Sequence, residues 1–146
     1  MRQTVFVLAL ALLFLPTNVW SADGKEDIKR IEGTWLPVEA ELGGQKFPDA
    51  VLKTMKLAMS GGRYTVKVGE KLDEGTIQLE TSTTPKSIDI IGTEGPNKGK
   101  TFPAIYELTD ETLRICYDLA GKNRPTEFKT AKDSLQFLVS YKREKN

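Results

Sequence analysis

From residue 34 to the end of the chain, apolar and polar residues alternate with a period of two, and short groups of turn residues interrupt the alternation at regular intervals. Successive side chains of a β-strand point to opposite faces, so this pattern predicts strands with one buried face. Short strands with regular turns are typical of antiparallel barrels and sandwiches. We count eight or nine strands and predict that the last, over 134–142, pairs with the first, over 34–42, because closure leaves no exposed strand edge.

The strand pattern is clearest around Gly61-Gly62, where the alternating segments 55–59 and 64–68 flank a two-glycine hairpin turn. Further strands are predicted over residues 75–81, 87–91, 101–108 and 112–118. The residues that we expect to face the interior are Met55, Leu57, Met59, Tyr64, Val66, Val68, Ile77, Leu79, Ile88, Ile90, Phe102, Ala104, Tyr106, Leu108, Leu135, Phe137, Val139 and Tyr141. We interpret the acidic pair Asp73-Glu74 as part of a solvated turn.

Two helical segments are predicted outside this pattern. The first covers residues 23–32 and ends at Gly33, and the second is one turn over 48–53 that carries Val51 and Leu52 toward the core. The fold class that follows is an all-β, antiparallel up-and-down barrel of about eight strands with a short N-terminal helix.

The first strand admits two interpretations, because Trp35 falls on the opposite side from the alternating set Leu36, Val38, Ala40 and Leu42. Either a bulge at Pro37 rotates the chain, or Trp35 packs beneath the barrel while the later residues line it.

Residues 1–21 have the pattern of a secretory leader, with a basic Arg2 followed by an apolar run over 5–15. The run is about half as long as the roughly 20 apolar residues that a membrane-spanning helix needs. We predict cleavage after Ser21, export to the periplasm or the extracellular space, and a single domain over 22–146 with no transmembrane segment.

The chain contains no histidine, which removes the commonest general base, the commonest metal ligand and every Ser-His or Cys-His pair. The chain has 21 basic and 20 acidic residues, and removal of the leader takes away Arg2 and leaves 20 of each. The mature domain therefore has no formal net charge, and nucleic acid is not an expected partner. We expect no catalytic residue, no cofactor and no metal, and hence a protein that is not an enzyme.

Cys116 is the single cysteine of the chain. Because it shares a strand face with Arg114 and Asp118, we place its thiol near the surface. No histidine or second cysteine is available to activate the thiol, so we interpret it as structural and inert.

The tripeptide Gly33-Thr34-Trp35 resembles the G-x-W signature of lipocalins, which begins the first strand of their barrel. In lipocalins the Trp seals the barrel base and a basic residue of a late strand packs across it, a part that the resemblance assigns to Arg143 or Lys142. Several further stretches resemble a family of exported, lipocalin-like bacterial domains of unknown function, of the planctomycete type: 31–35, 85–90, 95–101, 105–108, 113–117 and 121–128. The resemblance implies a fold and an exported location, with no assigned activity to transfer.

Residues 121–128 form a polar loop that contains Arg124 and Glu127. One interpretation is a salt bridge from Arg124 to a carboxylate, which fixes the loop over one end of the barrel. The other makes Arg124 an anchor for the anionic head group of a ligand at the barrel mouth, with Glu127 and Asp89 in the same candidate site.

Five aromatic residues are predicted to face inward, and core filling is the simplest interpretation of them: Phe102, Tyr106, Tyr117, Phe137 and Tyr141. An eight-stranded barrel can be filled by its own side chains or can hold one small ligand. Tyr106 and Tyr117 carry hydroxyls that need partners when buried, so a lumen containing both suits a mostly apolar molecule with a polar end.

Three functions follow from these alternatives. The first, which we predict, is non-catalytic binding of a small apolar or amphipathic molecule in or at the mouth of the barrel. The second is a filled barrel that contacts a protein or envelope partner through its loops. The third, a carboxylate-dependent hydrolase, is disfavoured by the missing histidine. An open or a filled interior distinguishes the first two.

Overall fold

Short strands and two helical segments follow one another along the chain, and the computed structural model describes residues 22–145. In chain order the elements are α1 (Ala22–Arg30), β1 (Gly33–Leu42), β2 (Gln45–Lys46), α2 (Asp49–Leu52), β3 (Met55–Ser60), β4 (Arg63–Val68), β5 (Lys71–Glu80), β6 (Lys86–Glu94), β7 (Thr101–Leu108), β8 (Thr112–Asp118) and β9 (Gln136–Arg143). The leader predicted over 1–21 lies outside the described residues. Neither helix of the described part has the length and apolar character needed to cross a membrane.

The strands form one closed antiparallel sheet. Each strand from β3 to β8 pairs with the next, and β1 pairs with both β3 and β9, so that the first and last strands meet. The two-residue strand β2 pairs only with the end of β1 and stands outside the ring, which leaves eight strands in the barrel. The predicted all-β barrel with a short N-terminal helix is confirmed.

A bulge in β1 decides between the two interpretations of the first strand. The register between β1 and β9 shifts after the pair Pro37 and Tyr141, which leaves Val38 as the extra residue. Trp35 and Ala40 are five residues apart and would lie on opposite faces of a regular strand, yet the bulge lets both be buried. Val38, by contrast, is 50% exposed. The interpretation with a bulge is confirmed, and the alternative in which Val38 lines the barrel is wrong, because the bulge rotates the chain at this position.

Besides Val68, which is 41% exposed at the end of β4, two other residues predicted to face the core lie at the surface. Val51 is 38% exposed because the single turn of α2 buries only one side, which Leu52 occupies. Leu135 is 55% exposed because it precedes the strand, which begins at Gln136. Both errors fall at the ends of elements, where periodicity is weakest as a guide.

Cys116 is fully buried, so the prediction of a thiol near the surface is wrong. It lies on the outer face of β8, and the segment over 119–135 covers it: the thiol donates a hydrogen bond to the carbonyl oxygen of Lys129 at 3.5 Å. On the same face the guanidinium of Arg114 lies 4.1 Å from the ring centroid of Phe128. Burial raises the pKa of the Cys116 thiol, which favours the protonated, unreactive form.

Candidate functional site

The two ends of the barrel differ, and one of them is sealed. We call this the closed end: it contains Trp35 and the turns over 61–62, 81–85 and 109–111, and α1 lies beside it. The guanidinium of Arg143 lies 4.2 Å from the centroid of the buried Trp35 ring, and the indole N–H donates to the carbonyl oxygen of Ile31 at 2.9 Å. Arg143, not Lys142, therefore packs across the Trp.

Arg143 also ties together chain segments that are distant in sequence. Its guanidinium donates to the carbonyl oxygens of Arg30 at 2.6 Å and Asp110 at 2.8 Å, and also to that of Glu32. Gly33 has a φ of 126°, and a Cβ at this position would lie 2.8 Å from Arg143 Nη1. The glycine of the tripeptide is needed both for its backbone conformation and for the space that the guanidinium occupies.

A buried carboxylate joins α1 to the floor of the barrel. Asp27 Oδ2 accepts hydrogen bonds from the Tyr106 hydroxyl at 2.7 Å and from Lys86 Nζ at 2.9 Å, and its Oδ1 accepts one from Arg30 at 3.2 Å. Burial by itself raises the pKa of Asp27, but the hydrogen bonds from Tyr106 and Lys86 and the two nearby cations outweigh burial and lower it. Tyr106, predicted to offer its hydroxyl to a ligand, donates it to Asp27 instead.

Acid is expected to weaken this attachment. Because the folded-state pKa of Asp27 lies below its ordinary value of 3.8, its contribution to stability is complete above that pH and is lost as the pH falls through the folded-state pKa. We expect Asp27→Asn to lower the free energy of unfolding by about 2 kcal/mol at neutral pH. The difference in free energy of unfolding between the variant and the wild type is expected to shrink below pH 3.8. Urea unfolding at a series of pH values measures this difference.

The matched control is Glu26→Gln, which removes the same charge from an exposed position of the same helix. It is expected to change the free energy of unfolding by less than about 0.5 kcal/mol throughout. If the gap between Asp27→Asn and the wild type stays constant into strong acid, Asp27 is not the ionised partner of Lys86 and Arg30.

The opposite end of the barrel, which we call the open end, contains a cavity of about 230 Å³. Most of the side chains that line it are apolar or aromatic, among them Met55, Leu57, Met59, Tyr64, Val66, Ile90, Phe102, Tyr117, Phe137 and Tyr141. Val68, Lys71 and Leu72 also line it and are exposed, so they mark its mouth beside the turn between β4 and β5. The interior is therefore incompletely filled, and its space opens on the side away from Trp35.

Two tyrosine hydroxyls meet in the wall of the cavity. The oxygens of Tyr117 and Tyr141 lie 3.5 Å apart, and either can be the donor. Burial raises the pKa of both, that of Tyr141 to about 12, so both are neutral at physiological pH. Two hydroxyls that share one hydrogen bond retain one hydrogen that no residue of the described chain accepts, and a bound molecule can accept it.

Asp73 is the residue of this cavity that the sequence analysis missed. It lies in β5 and lines the cavity, where it accepts hydrogen bonds from the Tyr64 hydroxyl at 3.2 Å, Asn97 Nδ2 at 2.9 Å and the Asn97 backbone N–H at 3.2 Å. The prediction of a solvated turn is wrong, because the turn comes earlier, at Gly69, and β5 begins at Lys71. The alternation of the strand could have revealed the inward position of Asp73, because Asp73 lies four residues before the inward-facing Ile77 and therefore on the same face.

The three polar residues predicted to form a ligand site at the barrel mouth lie outside the cavity. Arg124 forms a 2.6 Å ion pair with Asp89 and donates to the carbonyl oxygen of Ala104 at 2.8 Å, whereas Glu127 pairs with Lys129 at 2.8 Å. Asp89 lies between Ile88 and Ile90, which face the interior, so its side chain is on the outer face of β6. The bridge therefore holds the loop on the outer wall, not over a barrel end. Arg124, Asp89 and Glu127 do not line the cavity, and a role for them in ligand binding stays a prediction.

Among the sequence-predicted site residues, only Tyr117 lines the cavity, together with the newly found Asp73. Within residues 22–145, no group of three or more Asp, Glu or Cys side chains is arranged to hold a metal ion. Comparison with known protein families, with curated proteins and with solved structures finds no match to this chain. The resemblance to exported lipocalin-like domains stays a prediction, and function has to be inferred from the cavity.

Proposed function

We propose that this protein is an exported, non-enzymatic binding protein that holds one small, mostly apolar molecule in its barrel. The observation that carries the proposal is the cavity of about 230 Å³ at the open end, walled by apolar and aromatic side chains. Concave, mostly apolar pockets with a few polar groups are the usual form of small-molecule sites. A filled barrel that acts only through its loops does not require such a cavity.

The size of the cavity limits the ligand. Sites for drug-sized molecules usually measure about 300–1,000 Å³, so this cavity suits a smaller molecule. The sealed closed end, with Trp35 beneath Arg143, favours entry past Val68 and Leu72 at the mouth.

The three tyrosines of the cavity are poorly suited to acid–base chemistry at neutral pH. Burial, together with the charge and hydrogen bond of Asp73, raises the pKa of Tyr64, and burial raises those of Tyr117 and Tyr141. Phenols with raised pKa values stay protonated at neutral pH and make poor general bases. Support for export comes from the leader-like pattern of residues 1–21.

Filling the cavity is expected to abolish binding. Val66 lines the cavity from β4, and Val66→Trp places an indole in the space that a ligand needs. The wild type is expected to bind the neutral, polarity-sensitive fluorophore prodan, and the variant to bind it at least about tenfold more weakly, which is about 1.4 kcal/mol. Fluorescence titration measures the affinity. An external probe is needed because Trp35 lies at the closed end and does not line the cavity.

Thr65→Trp is the matched control, since Thr65 is adjacent in the same strand and its side chain is on the opposite face. It is expected to bind prodan as the wild type does. The proposed function would be contradicted if Val66→Trp bound prodan as tightly as the wild type does. It would also be contradicted if a folded wild type bound neither prodan nor any other small apolar probe.

A further inference from the structure

Resting on the proposed function, we infer that the ligand is an organic cation: a small apolar molecule that ends in an amine or ammonium group, received by Asp73 and the aromatic wall of the cavity. Three features carry this inference: the charge of Asp73, its lack of a cationic partner, and the rings around it.

The carboxylate of Asp73 faces an apolar cavity without a compensating charge. Its hydrogen-bond donors are the Tyr64 hydroxyl and the side-chain amide and backbone N–H of Asn97, all of them neutral. Across residues 22–145, no lysine or arginine nitrogen lies within 4.0 Å of this carboxylate. The buried Asp27, by contrast, has both Lys86 and Arg30.

A negative charge beside apolar surroundings is costly unless a positive charge accompanies it. Asp73 accepts three hydrogen bonds, and an ionised carboxylate offers about four acceptor positions, so one remains for a ligand. An ammonium group supplies both the missing charge and the missing donor. An anionic ligand would be repelled by the same carboxylate.

The rings of the cavity favour the same class of ligand. Five aromatic side chains of the described residues line it, and Tyr64 lies directly beside the carboxylate, with its hydroxyl 3.2 Å from Asp73 Oδ2. Aromatic faces attract cations, and a cluster of rings is the arrangement by which proteins recognise quaternary ammonium groups. A wholly neutral apolar ligand would gain nothing from Asp73.

Among the described residues, Lys71 is the one cation that lines the cavity, and its Nζ is not within 4.0 Å of the Asp73 carboxylate. It stands exposed at the mouth, where water and salt screen its charge. The amine of the ligand is therefore placed inward at Asp73, and its apolar part against the remaining wall.

Three probes of similar shape test the inference: 3-phenylpropylamine, 3-phenylpropanol and 3-phenylpropanoate, titrated calorimetrically into the purified protein at neutral pH. The wild type is expected to bind the amine at least tenfold more tightly than the alcohol, and the carboxylate most weakly. Asp73→Asn keeps the shape and the acceptor for Tyr64 but removes the charge, so the preference for the amine is expected to disappear.

The matched control is Glu74→Gln, which removes the same charge from the adjacent residue of β5, on the opposite face. It is expected to retain the preference for the amine. If the wild type binds alcohol and amine equally, or the carboxylate best, the inference is overturned while the proposed binding function stands. If a folded wild type binds neither these probes nor prodan, the proposed function itself fails. The wild-type comparison decides the matter even if Asp73→Asn does not fold.

Discussion

Replacing Trp35 with alanine is expected to lower the free energy of unfolding by about 3–5 kcal/mol. The ring is fully buried, and its removal leaves a void at the closed end. It also removes the surface on which the Arg143 guanidinium rests and the N–H that satisfies the carbonyl of Ile31. A loss of this size is a large part of the roughly 5–15 kcal/mol that stabilises a typical domain. Urea or thermal unfolding followed by circular dichroism measures it.

Trp35→Phe separates the two contributions at this position. Phenylalanine retains an aromatic face for Arg143 but has no N–H for Ile31, so the expected loss is smaller, about 1–2 kcal/mol. Because the cavity lies at the other end of the barrel, a folded Trp35→Phe protein is expected to bind prodan as the wild type does. A Trp35→Ala protein as stable as the wild type would show that the closed end does not depend on this ring.

Gly75→Ala is the second change with a large expected effect, about 3 kcal/mol of lost stability. A Cβ at Gly75 would overlap the backbone carbonyl oxygen of Ile91 and would lie 2.6 Å from Cε1 of Tyr64. The register between β5 and β6 shifts between Glu74 and Gly75, so a bulge in the ladder lies next to this glycine. The backbone of β6 cannot move as a flexible side chain can, and the displaced Tyr64 ring would disturb its contact with Asp73. Chemical unfolding and the amine titration report the two effects.

Gly24→Ala provides the comparison at a glycine with room. A Cβ there would meet its nearest neighbour, Thr81 Oγ1, at 3.9 Å, which is ordinary contact. Gly24 lies in α1, where alanine is favoured over glycine by up to about 1 kcal/mol, so a small gain in stability is expected. Equal effects of the two substitutions would mean that the close approach of β5 and β6 is not the cause of the loss at Gly75.

Most of the barrel could be predicted from the sequence because its signals are local. The hairpin around Gly61-Gly62 needs only alternation and a turn, and both β3 and β4 lie where the pattern places them. Some errors arose where local alternation is interrupted or ends, as at the charged start of β5, where Lys71 and Asp73 were not recognised as inward-facing, and next to element ends. The error at Cys116 has another cause, since a segment distant in sequence covers the outer face of β8. A charged side chain at an inward position is read as solvated unless its partners are known.

The candidate site was less predictable than the fold. Tyr106 and Tyr117 have the same residue type and both face inward, yet one is held by Asp27 at the closed end and the other lines the cavity. The Arg124 bridge was anticipated, but its place on the outer wall depends on where the 119–135 segment returns across β8. Side-chain parity tells which face a residue is on and does not tell how far along the barrel axis it lies.

The sequence by itself determined the strands, most of their inward faces and the Gly33-Thr34-Trp35 start, since these depend on neighbours within a few residues. Only the tertiary structure decided that Arg143 covers Trp35, that Asp27 is buried, and that Asp73 faces a cavity without an ion pair to any lysine or arginine of residues 22–145. These features depend on closure and curvature of the whole sheet, which bring together residues that are far apart in the chain.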